Sequence, residues 1–371
     1  MAKPTVRLAA VAELAGVSKA TASKVLNDRP DVSQDARARV HEAVTSLGYQ
    51  SPPRGAGKTL HIWVAFNTLG NHYAGTLLDG LLDEANSLDV QIVLSHWGGP
   101  SRPQPRVGSP AWLRRAHTRG AGGFVLITSP VTASHVDACR QQQTPLVVVD
   151  PSTHVPPGTM TVGATNWRGG VQATEHLLTL GHQRIAFIGA AVDSTPGDER
   201  LAGFRQTMES AGLSVDPALV RTGEFRYEDG LACLDLLRSD NPPTAIFAAC
   251  DLVALGVFEA ARLAGIRVPE DLSVIGFDDS YAALGASPPL TTVRQPLTEM
   301  GRLAVRTAVA AARGEAFSPP LELATTLVVR GSTGPVRVRA QVPPDDCLQS
   351  ASMDSWRRST SAMSPKRSPR N

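Results

Sequence analysis

The sequence predicts a mixed α/β protein with a three-helix headpiece followed by two doubly wound α/β subdomains. Within residues 1–50, short apolar stripes recur at helical spacing and are separated by turn residues. From Leu60 onward, short apolar runs alternate with amphipathic helical patterns, which is typical of parallel strands joined by helical crossovers. These runs are too numerous for one ordinary sheet, so we expect two sheets.

Length and composition bound the class of protein. A chain of 371 residues that is 42% hydrophobic can build about two or three domain-sized units. Nothing near the N-terminus resembles a signal peptide, and no apolar run approaches the roughly 20 residues that a membrane helix needs. The four cysteines form no CxxC pair, which argues against a zinc site and a disulfide framework. We therefore expect a cytoplasmic protein without a metal, a cofactor or a membrane partner.

The net charge is only +2, but it is unevenly distributed. Residues 1–60 carry nine Lys or Arg against five Asp or Glu, and residues 335–371 carry seven against three, so the middle of the chain is acidic. A basic head on an acidic body is expected when only the head approaches nucleic acid.

The first two helices are predicted to meet at a tight turn. The first has an apolar face made of Leu8, Val11, Ala12 and Ala15. Gly16 can end that helix with a positive φ, and the hydroxyl of Ser18 can cap the next helix. The outer face of the second helix combines lysines, hydroxyls and a small apolar side chain, which suits the major groove and its phosphates. The candidate DNA-binding residues are Ser18, Lys19, Ala20, Thr21, Ser23, Lys24 and Asn27. A helical hairpin with a solvated face is the plainer alternative.

A third helix and a linker complete the headpiece region. Ser33 is expected to cap a helix whose apolar stripe ends at Leu47. Residues 51–60 form a linker rich in Pro and Gly. Its Gly-Lys-Thr at 57–59 is not a phosphate-binding loop, because position 52 is proline and a strand pattern follows where the motif needs a helix.

The core is expected to alternate strands and helices. The strand candidates are His61–Phe66, Val90–Ser95, Gly123–Ile127, Leu146–Asp150, Arg184–Ile188, Ala245–Ala249 and Leu272–Phe277. The helix candidates are Gly75–Leu88, Ala133–Gln141, Val171–Leu180, Leu201–Ala211, Tyr227–Leu237, Leu252–Ala264 and Glu299–Arg313. Two such subdomains should enclose a ligand cleft at the carboxyl ends of their strands.

Several runs resemble the LacI/GalR family of bacterial transcription regulators. In the headpiece they are Val11-Ala12, Ala15-Gly16-Val17-Ser18, Ser23-Lys24-Val25 and Leu47-Gly48-Tyr49. In the core they include Arg200-Leu201-Ala202-Gly203-Phe204, Ser273-Val274-Ile275-Gly276-Phe277-Asp278-Asp279 and a run from Pro289-Leu290-Thr291-Thr292-Val293 to Gln295-Pro296. Together the matches span roughly residues 5–331. The chain departs from the family at Lys24, where the family often has Arg, and in the linker, which is shorter and has no leucine before Leu60.

The resemblance implies a type I periplasmic-binding-protein fold for the core and a division of the chain. Residues 1–50 would be the headpiece, 51–60 the hinge linker, 61–334 the core and 335–371 a disordered basic tail. The first subdomain would comprise about 61–161 and 293–319, and the second about 162–291 and 322–334.

The resemblance also implies which residues face an effector. Arg200 would grip oxygens of the ligand, Asp278 would accept hydrogen bonds, and Phe225 would form an aromatic wall. The remaining candidate effector-binding residues are Tyr73, Asp150 and Cys250. Plainer roles stay open: Arg200 would pair with Glu199 or Asp198 in solvent, and Asp278 would cap a turn.

Two neighbouring residues are interpreted differently. Asp251 is expected to cap the helix that begins at Leu252. The family often has Asn at the position of Cys250, so either the ligand lacks a polar group there or Cys250 is a small buried residue.

The function implied is that of a DNA-binding transcriptional regulator, a repressor, controlled by a small-molecule effector such as a sugar. It would bind a palindromic operator in double-stranded DNA as a homodimer, since the tail lacks the leucine heptads of a tetramer. The sign of the effector's action stays open. The rival hypotheses are a solute-binding protein, which would need an export signal, and an enzyme, for which no catalytic residues are found.

Overall fold

The computed structural model describes residues 8–26, 32–47, 59–96, 106–191, 194–315 and 321–337. It contains a helical headpiece followed by two six-stranded sheets with helices on their faces. The expected fold class is therefore confirmed. Within these ranges, no helix is both long and apolar enough to cross a membrane.

The headpiece has the three expected helices, α1 (Leu8–Leu14), α2 (Lys19–Leu26) and α3 (Gln34–Leu47). Gly16 has a φ of +61° in the turn after α1. The Ser18 hydroxyl accepts from the Thr21 N–H at 3.0 Å, and the Ser33 hydroxyl accepts from the Ala36 N–H at 3.4 Å, so both predicted caps are present. The helices share a small apolar core of Val11, Ala12, Ala15, Ala22, Val25, Val40 and Ala43.

The core consists of twelve strands and ten helices within the described residues. The strands are β1 (His61–Phe66), β2 (Gln91–His96), β3 (Ala121–Ile127), β4 (Leu146–Val149), β5 (Met160–Ala164), β6 (Ile185–Ala191), β7 (Val220–Gly223), β8 (Ala245–Ala248), β9 (Ser273–Asp278), β10 (Thr291–Arg294), β11 (Leu321–Leu323) and β12 (Thr326–Val328). The helices are α4 (His72–Ser87), α5 (Pro110–Thr118), α6 (Ala133–Gln141), α7 (Asn166–Thr179), α8 (Thr195–Ser210), α9 (Tyr227–Leu231), α10 (Leu234–Leu237), α11 (Asp251–Ala264), α12 (Tyr281–Gly285) and α13 (Leu297–Ala312).

Each subdomain is built around one sheet. The first sheet has the order β11-β5-β4-β3-β1-β2 and is parallel throughout. The second has the order β12-β10-β9-β8-β6-β7, in which only β12 runs antiparallel to its neighbour. The central strands are buried on both sides, which explains their almost continuous apolar sequences.

All seven strand candidates are present, with ends that shift by a few residues. The strands β5, β7, β10, β11 and β12 were not predicted, because they are short or partly polar. Helices α5 and α12 were not predicted either, and the starts of α7 and α8 were predicted too late. Helix α8 begins earlier because the Ser194 hydroxyl accepts from the Gly197 N–H and Pro196 occupies its first turn. The single helix expected at 227–237 is divided into α9 and α10.

The chain passes between the sheets at three points, which we call the first, second and third crossovers. The first joins β5 to α7, the second joins β10 to α13, and the third joins β11 to β12. Residues 162–164 and 322–323 therefore belong to the first sheet, and residues 293–294 to the second. The expected boundaries assigned these few residues to the opposite subdomain, because β5, β10 and β11 were not recognised.

Helix pairs pack through glycines that allow close approach of their backbones. A Cβ atom on Gly80 of α4 would lie 1.9 Å from the Thr298 carbonyl oxygen of α13. A Cβ atom on Gly203 of α8 would lie 2.2 Å from the Trp167 carbonyl oxygen of α7. Both helix pairs carry one end of a crossover, so these contacts fix the crossovers against the subdomains.

Candidate functional site

The candidate effector residues converge at the carboxyl ends of strands, where the two sheets face each other. Tyr73 lies in α4 after β1, and Asp150 directly follows β4. Cys250 follows β8, Asp278 ends β9, and Arg200 lies in α8 after β6. The edge predicted for ligand binding in open parallel sheets is therefore the one that holds these side chains.

Arg200 lies at the centre of this cleft with only 4% of its surface exposed. Its Nε donates to the Asn166 side-chain oxygen at 2.9 Å, and its Nη1 donates to the Ala249 carbonyl oxygen at 2.6 Å. Its Cζ lies 3.8 Å from the centre of the Phe277 ring, so the guanidinium stacks on an aromatic face. Because Arg200 is buried, the alternative of an ion pair in solvent is wrong.

Asp278 faces Arg200 from the end of β9. The nearest Arg200 nitrogen, Nη1, is 3.9 Å from Asp278 Oδ1, and Gln295 Nε2 donates to the same oxygen at 2.7 Å. Burial raises the pKa of Asp278 to about 6, although Arg200 and Gln295 act against this shift. The φ of Asp278 is +113°, an unfavourable value for a residue with a Cβ, so the surrounding contacts must hold it.

Tyr73 and Asp150 form the opposite wall, which belongs to the first subdomain. The Tyr73 hydroxyl donates to Asp150 Oδ2 at 2.6 Å. Burial raises the pKa of Asp150, and the Tyr73 hydrogen bond and the charge of Arg200 lower it. Burial and the adjacent Asp150 carboxylate raise the pKa of Tyr73 well above its usual value. The Tyr73 hydroxyl therefore stays protonated and can act as a donor.

Phe225 and Cys250 lie beside Arg200 in the second subdomain. The Phe225 N–H donates to the Gly189 carbonyl oxygen at 3.1 Å, and the ring centre lies 5.8 Å from Arg200 Cζ. The Cys250 thiol donates to the Phe225 carbonyl oxygen with a 3.6 Å separation. Burial raises the pKa of Cys250, which keeps it a neutral thiol. Cys250 is thus a small buried side chain next to the cleft, which agrees with the second of the two interpretations given for it from the sequence.

Asp251 does not cap a helix as expected. It is the first residue of α11, and its carboxylate accepts from the Ser280 N–H at 2.6 Å and from the Thr292 hydroxyl at 2.5 Å. Asp279, whose φ is also positive at +59°, pairs with Arg294 and Arg330. These contacts clamp the strained corner that presents Asp278 to the cleft.

Contacts that join the subdomains across the cleft include a hydrogen bond and a contact between two rings. The Thr195 N–H at the start of α8 donates to the Ser152 carbonyl oxygen at 3.1 Å. The rings of His72 in α4 and Tyr281 in α12 meet edge to face, with centroids 4.6 Å apart. The cleft is therefore closed around its charged interior.

The candidate DNA-binding residues share one side of α2. Lys19, Ala20 and Lys24 are exposed, whereas Thr21 and Ser23 are half-buried. The Ser18 and Thr21 hydroxyls lie 2.8 Å apart and bond to each other, so Ser18 serves the cap as well as the surface. Asn27 lies outside the described residues.

The sequence did not point to the amides of Asn166 and Gln295, which bind the two charged residues of the cleft. The signal for Gln295 was present, because it lies within one of the family-like runs, but Asn166 follows a strand that was not predicted. Among the described residues, no group of three or more His, Cys, Asp or Glu side chains is arranged to hold a metal ion.

Comparisons with known proteins agree with this architecture. Residues 7–51 match the family described as bacterial regulatory proteins, lacI family, and residues 174–333 match the periplasmic binding protein-like domain. The regulator DegA of Bacillus subtilis is 34% identical over 331 residues, covering 88% of this chain and 97% of DegA. The regulator CelR of Thermobifida fusca is 35% identical over 345 residues, covering 89% and 98%.

Solved structures show the same relationship. The lac repressor dimer bound to operator and the anti-inducer ONPF matches with a TM-score of 0.74 and 27% identity, covering 90% of this chain and all of that one. The complex of CelR with cellobiose matches with a TM-score of 0.65 and 32% identity, covering 88% and 99%.

The headpiece and the two-lobed core therefore define a helix-turn-helix transcription regulator with a periplasmic-binding-protein-like domain. The similarity extends over nearly the full length of both relatives and includes both parts of the chain. The protein belongs to the LacI family of bacterial transcriptional regulators.

Proposed function

We propose that the protein is a repressor that binds a pseudo-palindromic operator as a homodimer and is controlled by a neutral sugar bound in the cleft. The observation that carries the proposal is that one chain combines an exposed basic helix, α2, with a buried group of opposed charged and polar side chains where the two sheets face each other. The presence of both features in one chain is accounted for if a ligand bound in the cleft changes DNA binding by the headpiece.

The recognition step is assigned to α2. Lys24 and Lys19 would reach base edges or phosphates, and Ala20 would contact a thymine methyl group. Ser18, Thr21, Ser23 and Asn27 would fix the register through phosphate contacts. One headpiece reads only a short half-site, so two copies related by a two-fold axis are needed for specificity.

A homodimer is supported by apolar surface on the second subdomain. Leu252 at the start of α11 is 41% exposed, and Tyr281 and Leu284 of α12 are 77% and 59% exposed. These side chains lie on neighbouring helices, and covering them would remove apolar surface from water. The lac repressor structure that this chain resembles is a dimer bound to operator.

The charge balance of the cleft favours a neutral ligand rich in hydroxyl groups. Asp150 and Asp278 provide acceptors on opposite walls, and Arg200 is the cation between them. A phosphate or carboxylate ligand would approach two carboxylates and find only one guanidinium, whereas hydroxyl groups can donate to the carboxylates and accept from Arg200. Phe225 would provide an apolar face for the C–H side of a sugar ring. CelR, a relative, has been solved with cellobiose.

Control of DNA binding would follow from the position of the ligand. A sugar held between Asp150 and Arg200 joins the two subdomains, and a change in their relative position would alter the spacing of the headpieces in the dimer. Coupling energies of this kind are about 1–3 kcal/mol, which is roughly a 5–150-fold change in affinity.

The test is a gel shift with the DNA upstream of the protein's own gene, together with a thermal-shift screen of cellobiose, ribose and their phosphate esters. We expect binding that is lost when either half of the operator is scrambled, and a change in that binding with a neutral sugar. Full binding to a single half-site would contradict the dimeric mechanism. Stabilisation by the phosphate esters alone would contradict the assigned ligand class.

A further inference from the structure

Each charged residue that we assign to the effector in the second subdomain is hydrogen-bonded to a buried amide at a crossover. Arg200 Nε binds the side-chain oxygen of Asn166, the first residue of α7 after the first crossover. Asp278 Oδ1 binds the side-chain nitrogen of Gln295, which lies in the second crossover. The two amides are only 3% and 4% exposed.

Asn166 links the effector site to the first subdomain. While its oxygen accepts from Arg200, its Nδ2 donates to the Ala164 carbonyl oxygen at the end of β5, at 3.1 Å. The Ala164 N–H in turn binds the Asp150 carboxylate and lowers its pKa. Asn166 thus connects Arg200 to β5, the strand from which the chain first leaves the first subdomain.

Gln295 is the less satisfied of the two amides. Its Nε2 is bonded to Asp278 at 2.7 Å, but its buried Oε1 has no hydrogen-bond partner among the described residues. This oxygen can therefore accept one further hydrogen bond while the amide nitrogen holds Asp278.

The first and third crossovers are locked together. The Thr165 N–H donates to the Leu323 carbonyl oxygen at 2.9 Å, and the Thr325 N–H donates to the Thr165 hydroxyl at 3.0 Å. The Thr325 hydroxyl also donates to the Thr165 carbonyl oxygen at 3.2 Å. These two crossovers form one unit, and the pairing of β10 with β12, in which Arg294 lies opposite Thr326, joins the second crossover to that unit.

We propose that Asn166 and Gln295 are positioning residues that couple the effector site to the hinge between the subdomains. The proposal rests on the proposed function, in which Arg200 and Asp278 contact the effector. Asn166 ties Arg200 to the first and third crossovers, and Gln295 ties Asp278 to the second. An effector that bonds to Arg200, Asp278 and Asp150 therefore acts on all three crossovers, which couples its binding to the angle between the subdomains.

The first experiment measures the hinge without any ligand. Spin labels are attached to cysteines introduced at Asn86 of α4 and Glu209 of α8, in a Cys347→Ser background, and labelled chains are diluted with unlabelled protein. We expect one narrow distance distribution in the wild type. Gln295→Ala and Asn166→Ala should broaden it toward longer distances, because each loses a bond between a charged residue of the cleft and a crossover.

Two variants separate the hinge role from a general loss of packing. Gln172→Ala removes an amide with a buried oxygen from the same helix as Asn166. It leaves the Arg200–Asn166 and Asp278–Gln295 bonds in place, so it should leave the distribution narrow. Asn166→Asp keeps the shape of the side chain and the acceptor for Arg200 but loses the Nδ2 donor to the Ala164 carbonyl oxygen, so it should broaden the distribution as Asn166→Ala does. Identical distributions in wild type, Gln295→Ala and Asn166→Ala would overturn the proposal. So would equal broadening in Gln172→Ala.

The second experiment uses cellobiose and ribose as probes. If one binds the wild type, Gln295→Ala should bind it within about tenfold of the wild-type affinity but lose at least half of the change in operator affinity. An unchanged operator response in that variant would overturn the coupling role. If neither sugar binds the wild type while the label distances respond as expected, the assigned effector class fails and the hinge role stands.

Discussion

Replacing Arg200 by lysine is the sharpest test of the effector site. The substitution keeps a positive charge between Asp150 and Asp278 but removes the planar fork of donors. The guanidinium makes two hydrogen bonds, to Asn166 at 2.9 Å and to the Ala249 carbonyl oxygen at 2.6 Å, and stacks on Phe277. A lysine ammonium cannot stack in this way or occupy both bonding positions at once. Arg200→Ala is less informative, because it would leave two buried carboxylates without a cation.

The expected magnitude follows from these contacts. A hydrogen bond to a charged group contributes about 1.5–3 kcal/mol, and Arg200→Lys should cost at least one such bond to the effector. The affinity for the effector should therefore fall about 10–150-fold. The affinity for operator without effector should stay within about twofold, because α2, which we propose contacts the DNA, packs in the separate core of the headpiece.

The affinity for the sugar identified in the thermal-shift screen is measured by calorimetric titration. The affinity for operator is measured by fluorescence anisotropy with labelled DNA. Arg205→Lys, an exposed position one turn further along α8, is the matched control and should change neither quantity. An Arg200→Lys protein that binds the sugar as tightly as the wild type would refute the assignment. Loss of operator binding with an intact response to sugar would also refute it.

Three further predictions concern the headpiece, the packing of the core and the clamp beneath Asp278. Lys24→Ala should reduce discrimination at one base pair per half-site by about 1–3 kcal/mol, as measured by competition among single-base operator variants; a uniform loss over all variants would instead indicate a phosphate contact. Gly80→Ala should lower the free energy of unfolding by about 2–3 kcal/mol in urea, because the new Cβ would lie 1.9 Å from the Thr298 carbonyl oxygen. Gly75→Ala on the same helix meets nothing within 4 Å and should not destabilise the protein, so equal losses in the two would contradict the packing argument. Burial raises the pKa of Asp251 to about 7, so between about pH 4 and pH 7 the unfolded state releases a proton that the folded state keeps. Across that window the wild type should lose stability relative to Asp251→Asn by up to about 1.4 kcal/mol per pH unit, and parallel stability curves for the two proteins would refute the raised pKa.

The elements predicted from the sequence were those whose pattern is set by burial. Strand β1 was predicted with its observed bounds, because His61–Phe66 is a short apolar run between polar segments. Strand β7 was missed because Val220–Gly223 lies at an edge, is largely exposed and carries polar residues. The start of α7 was missed because Asn166 and the two glycines of its first turns do not form an apolar stripe. Periodicity thus finds central strands and apolar helices, whereas edges and crossovers depend on tertiary pairing.

The site was predictable where the residue type itself carries the chemistry. Arg200 and Asp278 were found through family-like runs, and their opposed charges are what a polar ligand requires. Asn166 and Gln295 carry no charge, and their importance arises only because the fold places Asn166 beside Arg200, 34 positions along the chain, and Gln295 beside Asp278, 17 positions away. Asp251 was predicted to cap a helix because the local sequence pattern favours that role. In the structure its carboxylate instead accepts a hydrogen bond from the hydroxyl of Thr292, which is distant in the sequence.

The arrangement of charges explains why occupancy of the cleft should favour one subdomain angle. Asp150 belongs to one wall, and Arg200 and Asp278 belong to the other, so one ligand can bond to both walls only when the cleft is closed. Closure without a ligand buries two carboxylates beside a single guanidinium, and the burial that raises the pKa of both carboxylates also opposes their ionised form. Hydroxyl groups of a sugar would offset that cost by donating to the carboxylates. The ligand would therefore bind the closed form more tightly than the open one, and such a difference in affinity is the only means by which a ligand can shift the equilibrium between them.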